Sequence, residues 1–253
     1  HYEAFKLAKK YKKIIFSSPF SIRAVDHLEK LNCKIYKIAS FEITDLKLIN
    51  YIASKKKPII ISTGMANFSE INRAIKEIKK YHKKIIILHC VSSYPTPLSK
   101  IDLKRINFLK KKFKGFCIGI SDHTDDIYSS IAATQHEVVV IEKHFKLNNK
   151  TKSADSSFSI TPKKLKNLKK IILDLHESKK KNIGIEKISK NLRRSIFVSK
   201  PIKKNCKITR ENIDTLRPKI GMCASNFFKV LGKRVKKNMS PGQPIFQSDI
   251  FFK

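Results

Sequence analysis

The sequence predicts an α/β protein: a (β/α)8 TIM-type barrel that lacks about its first two βα units, followed by a small β-rich domain. Three observations carry this prediction. Short apolar runs rich in β-branched residues alternate with amphipathic helical patterns. Polar side chains gather where the apolar runs end. After residue 195 the sequence changes to short predicted strands separated by proline and glycine.

Six apolar runs predict strands, and they begin at Ile14, Lys34, Pro58, Lys84, Phe116 and Glu137. The runs are apolar throughout instead of alternating, which indicates burial on both faces, as in a parallel sheet covered by helices. Helical patterns separate them. One places Ile71, Ala74, Ile75 and Ile78 on a single helical face. The βα rhythm is that of a barrel rather than a sandwich.

The number of predicted strands falls short of a closed barrel. Such a barrel has eight strands, whereas the chain offers about six and opens, without methionine, on a helical pattern at residues 4–11. We therefore expect a fragment without its first two βα units. An open arc leaves two sheet edges exposed, so we expect it to be marginally stable unless something completes it.

A change of pattern near the carboxyl end predicts the domain organisation. A final amphipathic helix spans 162–181, and after it the long helical patterns stop. We predict a partial barrel over 1–181, a polar linker over 182–194 and a small domain of mixed β character over 195–253.

Composition excludes several classes of protein. The chain has 253 residues, of which 41% are hydrophobic and 30% charged, close to the globular average. No apolar run approaches the ~20 residues of a membrane span, and the first residues do not form a signal peptide. The five scattered cysteines include no CxxC pair, which argues against a disulfide framework or a zinc ribbon. We expect a cytoplasmic protein.

The formal net charge of +35, from 55 Lys and Arg against 20 Asp and Glu, suggests a basic nucleic-acid-binding protein as one alternative. Such proteins usually concentrate their charge on one face or tail, whereas here the lysines are spread between apolar segments. We therefore predict no nucleic-acid partner and interpret the excess as lysine on ordinary surfaces. Attraction of an anionic small substrate is a further interpretation.

Polar residues at the strand ends predict a functional site. They include Ser18, Ser40, Glu42, Ser62, Tyr94, Ser121, His123 and His144. In a parallel barrel these ends meet at one mouth, where the chemistry of such folds is located. Any one of them could instead be a helix cap or a hydrogen-bonded loop residue.

The order and spacing of several motifs resemble the sialic acid synthase family, which condenses phosphoenolpyruvate with an amino-sugar aldehyde. The motifs are SPF from Ser18, KIASFEITDL from Lys37, ISTGM from Ile61, LHCVSSYPTP from Leu88, GISDHT from Gly119, EKHF from Glu142 and DSSFS from Asp155. ASFE, SSYP and DSSFS look more like pseudaminic acid synthases than N-acetylneuraminate synthases. The resemblance implies a nonulosonic acid synthase, with N-acetylneuraminate or legionaminic acid synthase as alternatives.

The tail resembles the antifreeze-like SAF domain, a β-clip fold, that ends these synthases. The matching segments are LRRSIFV, LRPKIG and LGKRVKKNMSPGQPI. The resemblance implies a homodimer in which Arg217 reaches the barrel mouth of the partner subunit and contacts the N-acyl group of the sugar. A surface arginine before a proline-containing turn is the alternative for this residue.

His123 and His144 are the predicted metal ligands. They end neighbouring strands, so their imidazoles can converge, although two unrelated hydrogen-bonded histidines would give the same pattern. The resemblance implies that they bind a divalent cation, Mn²⁺ or Mg²⁺.

Lys37 supplies the positive charge that the phosphate and carboxylate of phosphoenolpyruvate require. A lysine that snorkels to the surface and a Schiff-base aldolase nucleophile are the alternatives. The resemblance assigns substrate hydrogen bonds to Ser18, Ser40, Ser62 and Ser121. Ser92 is also predicted to bind substrate, although it stands where the neuraminate branch usually has asparagine.

The resemblance also implies the remaining roles. Glu42 matches an active-site acid, Asp155 matches a residue that binds sugar hydroxyls, and Tyr94 lines the same pocket. The general acid/base glutamate of the family and a further phosphate-binding lysine belong to the first two strands. The chain alone is therefore expected to carry an incomplete site, and an inactive remnant stays open as an alternative.

Overall fold

The computed structural model describes residues 1–179 and 189–251. Contacts divide the chain into two compact units, His1–Glu177 and Ser178–Lys253. No helix within the described residues has both the length and the apolarity needed to cross a lipid bilayer.

The first unit is built around a parallel five-stranded sheet. Its strands are β1 (Tyr36–Ile38), β2 (Ile59–Ser62), β3 (Ile85–Cys90), β4 (Cys117–Asp122) and β5 (Ile141–Lys143). They pair in chain order. Because every pair is parallel, the five carboxyl ends lie along one edge of the sheet. The predicted parallel α/β architecture is confirmed.

The helices of this unit are α1 (Tyr2–Lys10), α2 (Ile22–Lys30), α3 (Leu46–Ser54), α4 (Phe68–Lys79), α5 (Lys104–Lys112), α6 (Tyr128–Ala133) and α7 (Pro162–Ser178). Caps fix where some of them begin. Asp45 accepts a hydrogen bond from the Leu48 amide at the start of α3. Asn67 and Glu70 form a capping box at the start of α4. These bonds satisfy amides that have no partner inside the helix.

The core of the first unit lies between the sheet and the helices. Ile61, Ile87 and Ile120, on three adjacent strands, are fully buried. The predicted apolar face of α4 is buried as a whole. The isoleucine-rich strands are therefore shielded by helices, which explains why their sequences do not alternate.

The prediction of a strand starting at Ile14 is wrong. The segment contributes a single parallel bridge, between Ser17 and Tyr36, and the side chain of Ile14 is 75% exposed. Only one backbone hydrogen bond joins it to β1, from the Lys37 amide to the Ser17 carbonyl. A strand needs a continuous ladder, and an apolar run at the edge of a sheet has a partner on one side alone.

The second unit is mainly β. Strand β6 (Ser195–Val198) pairs antiparallel with β7 (Ile213–Leu216), and isolated bridges extend the pairing to Met239, Pro244 and Ile250. A short helix, α8 (Phe227–Val230), adds to a core that includes Ile196, Val235 and Ile245. Part of the predicted linker, 182–188, lies outside the described residues, as do residues 180 and 181 of the predicted last helix.

Replacement of Gly119 tests the packing of the sheet. A Cβ at this position in β4 would lie 2.5 Å from Leu88 Cδ2 and 2.6 Å from the carbonyl oxygen of Val140. We expect Gly119→Ala to lower the free energy of unfolding by about 1–3 kcal/mol, because the backbone of residue 140 must move. Urea denaturation measures the change. Cys117→Ala, at an exposed position on the same strand, is the control. Equal stability of the two variants would contradict the close packing.

Asp249 gives the second unit a predicted pH dependence. Its carboxylate pairs with Lys237 at 2.7 Å and accepts a hydrogen bond from the Phe246 amide at 3.0 Å. Burial would raise the pKa of Asp249, but these two contacts outweigh burial and lower it. The stabilisation is therefore present above the unfolded pKa, about 3.9, and is lost as the pH falls through the lower folded pKa.

We expect Asp249→Asn to weaken the hydrogen-exchange protection of the Ile196 and Val198 amides by about 1–3 kcal/mol at pH 6. The difference from the native chain should shrink as the pH falls below the unfolded pKa, about 3.9, and disappear below the lower folded pKa. Glu211→Gln, at an exposed carboxylate of the same unit, should change protection little. A difference that persists unchanged at low pH would contradict a role for the charge.

Candidate active site

A cleft of about 580 Å³ opens at the carboxyl ends of the strands in the first unit. The predicted site residues that line it are Ser18, Lys37, Ser40, Ser62, Tyr94, Ser121, His123, His144 and Asp155. They come from the ends of all five strands, from the loops that follow them and, for Ser18, from the segment before α2. The parallel topology therefore brings together residues that lie up to 137 positions apart, from Ser18 to Asp155.

Lys37 lies inside this cleft rather than on the surface. It is in β1 and is 7% exposed, which rules out the snorkelling surface lysine. Its Nζ donates a hydrogen bond of 2.7 Å to Ser62 Oγ at the end of β2. A buried ammonium held by a neutral hydroxyl retains the capacity to bind an anion.

Glu142 is a cleft residue that the sequence analysis missed. Its Oε2 lies 3.6 Å from Lys37 Nζ, and its Oε1 accepts a hydrogen bond from Ser121 Oγ. The available signal was the two-residue period of β5, which places Glu142 on the same face as His144. The cleft therefore holds a carboxylate directly beside its buried cation.

The imidazole rings of His123 and His144 meet in the cleft, as predicted. Their centroids are 5.3 Å apart and the rings are inclined at 63°. His123 Nδ1 lies 2.9 Å from the carbonyl oxygen of Val91, and burial lowers the pKa of His123. In the neutral ring Nδ1 donates to that carbonyl, which leaves the lone pair on Nε2, 3.2 Å from Ser121 Oγ.

Asp155 holds the second ring. Its Oδ2 lies 3.3 Å from His144 Nδ1, so the carboxylate can accept a hydrogen bond from that nitrogen. His144 Nε2 is then the nitrogen that remains available to a ligand. The loop that carries Asp155 thus contacts the imidazole pair.

Two aromatic rings enclose the imidazoles. The ring centroid of Tyr94 lies 4.4 Å from that of His123, and the buried ring of Phe158 lies 4.8 Å from that of His144. The sequence analysis identified Tyr94 and missed Phe158. Its signal was its position three residues after Asp155, in the DSSFS segment. These rings restrict the rotation of both imidazoles.

The two imidazoles are the nitrogen donors that the cleft offers to a divalent cation. Within residues 1–179 and 189–251, no three His, Cys, Asp or Glu side chains converge in a group that could hold a metal. His123 and His144 nevertheless fit as a pair of nitrogen ligands, because each uses Nδ1 for a second contact and presents Nε2. A cation there would take its remaining ligands from water and substrate.

The segments that follow β1, β2 and β3 approach one another closely at Ser40, Gly64 and Ser92. Ser40 Oγ and Ser92 Oγ are 2.8 Å apart, so Ser92 belongs to the site through Ser40. Gly64 has a φ of +40°, and a Cβ there would lie 2.5 Å from both Ser40 Cβ and Ser92 Oγ. Glycine is the residue that fits this position.

Three predicted residues, Glu42, Ser92 and Arg217, are not among those that line the cleft. Glu42 lies in the turn after β1, where burial raises the pKa of its carboxyl and Oε2 has no hydrogen-bond partner. Arg217 is exposed in the second unit, directly after β7. His89, in β3, is buried with Nε2 2.7 Å from the Ile101 carbonyl oxygen, and its Nδ1 has no hydrogen-bond partner.

Comparison with known proteins gives matches over nearly the whole chain. Residues 1–183 match the NeuB family model, and residues 193–250 match the SAF domain. Pseudaminic acid synthase of Helicobacter pylori is 38% identical over 99% of this chain and 75% of the relative. N,N'-diacetyllegionaminic acid synthase of Campylobacter jejuni is 39% identical over 94% of this chain and 73% of the relative.

A solved structure gives the same result. The N-acetylneuraminic acid synthetase of Leptospira borgpetersenii, in complex with citrate, aligns with a TM-score of 0.68 and 30% identity. The alignment covers 74% of this chain and 67% of that structure.

Proposed function

We propose that this chain, which belongs to the NeuB family, condenses phosphoenolpyruvate with the aldehyde of an N-acylated amino sugar to give a nonulosonic acid and phosphate. The observation that carries the proposal is one cleft that holds a buried ammonium, Lys37, and a pair of imidazoles, His123 and His144. The relatives named pseudaminic, legionaminic and sialic acid synthases support the reaction class.

The anionic substrate binds at Lys37. Its ammonium takes the phosphate or carboxylate of phosphoenolpyruvate, and at about 4 Å with an effective dielectric near 20 one such pair gives roughly 4 kcal/mol before desolvation. Ser62 already contacts the ammonium, and Ser18, Ser40 and Ser121 add hydroxyl donors along the cleft. Several fixed donors orient the substrate as well as holding it.

The sugar aldehyde binds at the imidazole end of the cleft, and Asp155 and Tyr94, which line the cleft, contact its hydroxyl groups. His123 and His144 are the proposed ligands of a divalent cation, Mn²⁺ or Mg²⁺, which when bound would polarise the aldehyde carbonyl as a Lewis acid. C3 of phosphoenolpyruvate forms the new carbon–carbon bond, water adds at C2, and phosphate leaves. The chain's contribution is to hold both substrates at reacting distance.

Finer assignments belong to the same proposal. The ASFE and DSSFS segments favour a pseudaminic acid synthase, and Glu42 acts as an acid behind the cleft. In the proposed homodimer Arg217 reaches the cleft of the partner subunit and contacts the N-acyl group. A cytoplasmic location stays a prediction.

We propose that the five-stranded sheet is an arc of a (β/α)8 barrel that lacks about its first two βα units. The parallel strands in chain order support this arc, as does the coverage of 75% and 73% of two relatives. The proposed domains are 1–181 and 195–253, joined by a linker over 182–194. The family matches at 1–183 and 193–250 support this division.

The reaction is tested by release of phosphate from phosphoenolpyruvate. The assay uses the aldehyde precursors of pseudaminic, legionaminic and N-acetylneuraminic acid in turn. It is run on this chain and on this chain joined to the part of the Helicobacter pylori relative that it does not cover. We expect release to need both Mn²⁺ and a sugar, and to be fastest with the pseudaminic precursor. A faster legionaminic precursor would overturn the finer assignment, and no release from either form would overturn the function.

Lys37→Met tests the anion site. Loss of the ammonium should raise the dissociation constant of phosphoenolpyruvate, measured by calorimetry, about 10- to 100-fold, as for a hydrogen bond to a charged group. Lys57→Met, which removes an ammonium paired with Glu29 just before β2, should leave that constant unchanged.

Borohydride trapping of pyruvate on Lys37 would instead support the Schiff-base aldolase.

A further inference from the structure

A buried ion pair joins the residues that directly precede the two imidazoles in the sequence. Asp122 and Lys143 are register partners in the ladder between β4 and β5, and Asp122 Oδ2 lies 3.1 Å from Lys143 Nζ. Their side chains are 0% and 3% exposed. Asp122 immediately precedes His123, and Lys143 immediately precedes His144.

The pair is surrounded by hydrogen bonds on the side of α6. The Asp122 carboxylate accepts bonds from the amide and hydroxyl of Thr124, at 2.9 and 2.7 Å. It also accepts bonds from the hydroxyls of Ser129 and Ser130 in the first turn of α6. An ion pair excluded from water is stable when its remaining hydrogen-bonding atoms also have partners, as they do here.

Lys143 joins the two strand ends as well as neutralising the carboxylate. Its Nζ donates a 2.6 Å hydrogen bond to the carbonyl oxygen of Thr124. Asp122 and Thr124 flank His123. Lys143 therefore contacts the residue before that histidine through its carboxylate and the residue after it through its backbone carbonyl. The residue that follows Lys143 is the second imidazole.

The two-residue period of β4 turns Asp122 away from the cleft, whereas Lys143 is itself among the residues that line the cleft. Ser121 and His123 line the cleft, whereas Asp122 between them contacts α6. On the side of β5, Glu142, Lys143 and His144 all line it. A shift of one residue in the pairing of β4 with β5 would turn the cleft-facing side chains of one strand to its opposite face. The Asp122–Lys143 pair, at the last rung of this ladder, therefore fixes which residues enter the cleft.

We propose that Asp122 and Lys143 are positioning residues that set the separation and orientation of the His123 and His144 rings. The proposal deepens the proposed function, because those rings are the proposed cation ligands. It does not require turnover. The rings must meet at a fixed distance for two Nε2 atoms to share one ion, and neighbours that orient ligands contribute about 10- to 100-fold to metal affinity.

The variants are Asp122→Asn, Lys143→Met and the two combined, each in the full chain. A single variant leaves an uncompensated buried charge and can prevent folding, whereas the double variant removes both charges together. Glu29→Gln with Lys57→Met is the matched control, since that ion pair of 2.6 Å lies by the amino end of β2. Thermal unfolding monitors stability in every case.

Two measurements report on the site. The first is the dissociation constant of Mn²⁺, from the electron paramagnetic resonance signal of the free ion. The second is the nuclear Overhauser effect between the ring protons of His123 and His144, in protein labelled at histidine, with each ring assigned from its own His→Gln variant. The second measurement needs no metal.

We expect the double variant to fold, to bind Mn²⁺ about 10- to 100-fold more weakly and to lose the ring-to-ring effect. The control should keep both properties. Native affinity and a native ring-to-ring effect in the folded double variant would overturn the proposal, as would an equal loss in the control or failure of every Asp122 and Lys143 variant to fold. The two proposals can also be separated. If the native chain binds no Mn²⁺, and the double variant alone loses the nuclear Overhauser effect between the rings, the proposed cation is refuted and the positioning role is supported.

Discussion

Parallel pairing between neighbouring strands is the constraint on which the whole site depends. A parallel ladder brings carboxyl ends to one edge, and a period of two residues decides which side chain at each end faces the cleft. Lys37, Ser62 and Ser121 all reach the cleft in this way. Their loops differ in length and composition, so the ladder, rather than local loop structure, determines where the groups meet. A site of this kind tolerates loop changes and is sensitive to strand register.

The sequence predicted the features that follow from this ladder. The meeting of His123 and His144 and the position of Lys37 needed only the order of the strands and the polar residues at their ends. Glu142 and Phe158 were missed for different reasons. The two-residue period puts Glu142 on the face of His144, but its contact with Lys37 depends on a strand arrangement that one sequence does not reveal. Phe158 reaches the imidazoles from a loop, and no period specifies the direction of a loop side chain.

The segment from Ile14 shows a second limit of the sequence. Its composition favours a strand, but a strand exists only where a partner offers hydrogen bonds, and β1 supplies them near Ser17 alone. Propensity for β structure reflects fit to a pleated, half-buried surface rather than an intrinsic backbone preference. Glu42 is similar: its place after a strand predicted a cleft residue, while the turn Ser40–Glu42 directs it elsewhere. Patterns near sheet edges and turns therefore predict position less well than patterns in the central strands.

The large positive charge of the chain and the buried ammonium of Lys37 act at different distances. Charges on exposed lysines are screened beyond about 8 Å at physiological ionic strength, so their summed field can raise the encounter rate of an anion without selecting one. Lys37 acts inside that distance, with little water around it, where direction and spacing decide which anion fits. Glu142, 3.6 Å away, offsets part of its charge. An anion must then be held by the hydroxyl donors as well as the ammonium, and this requirement favours a ligand with several oxygen atoms over a simple monovalent ion.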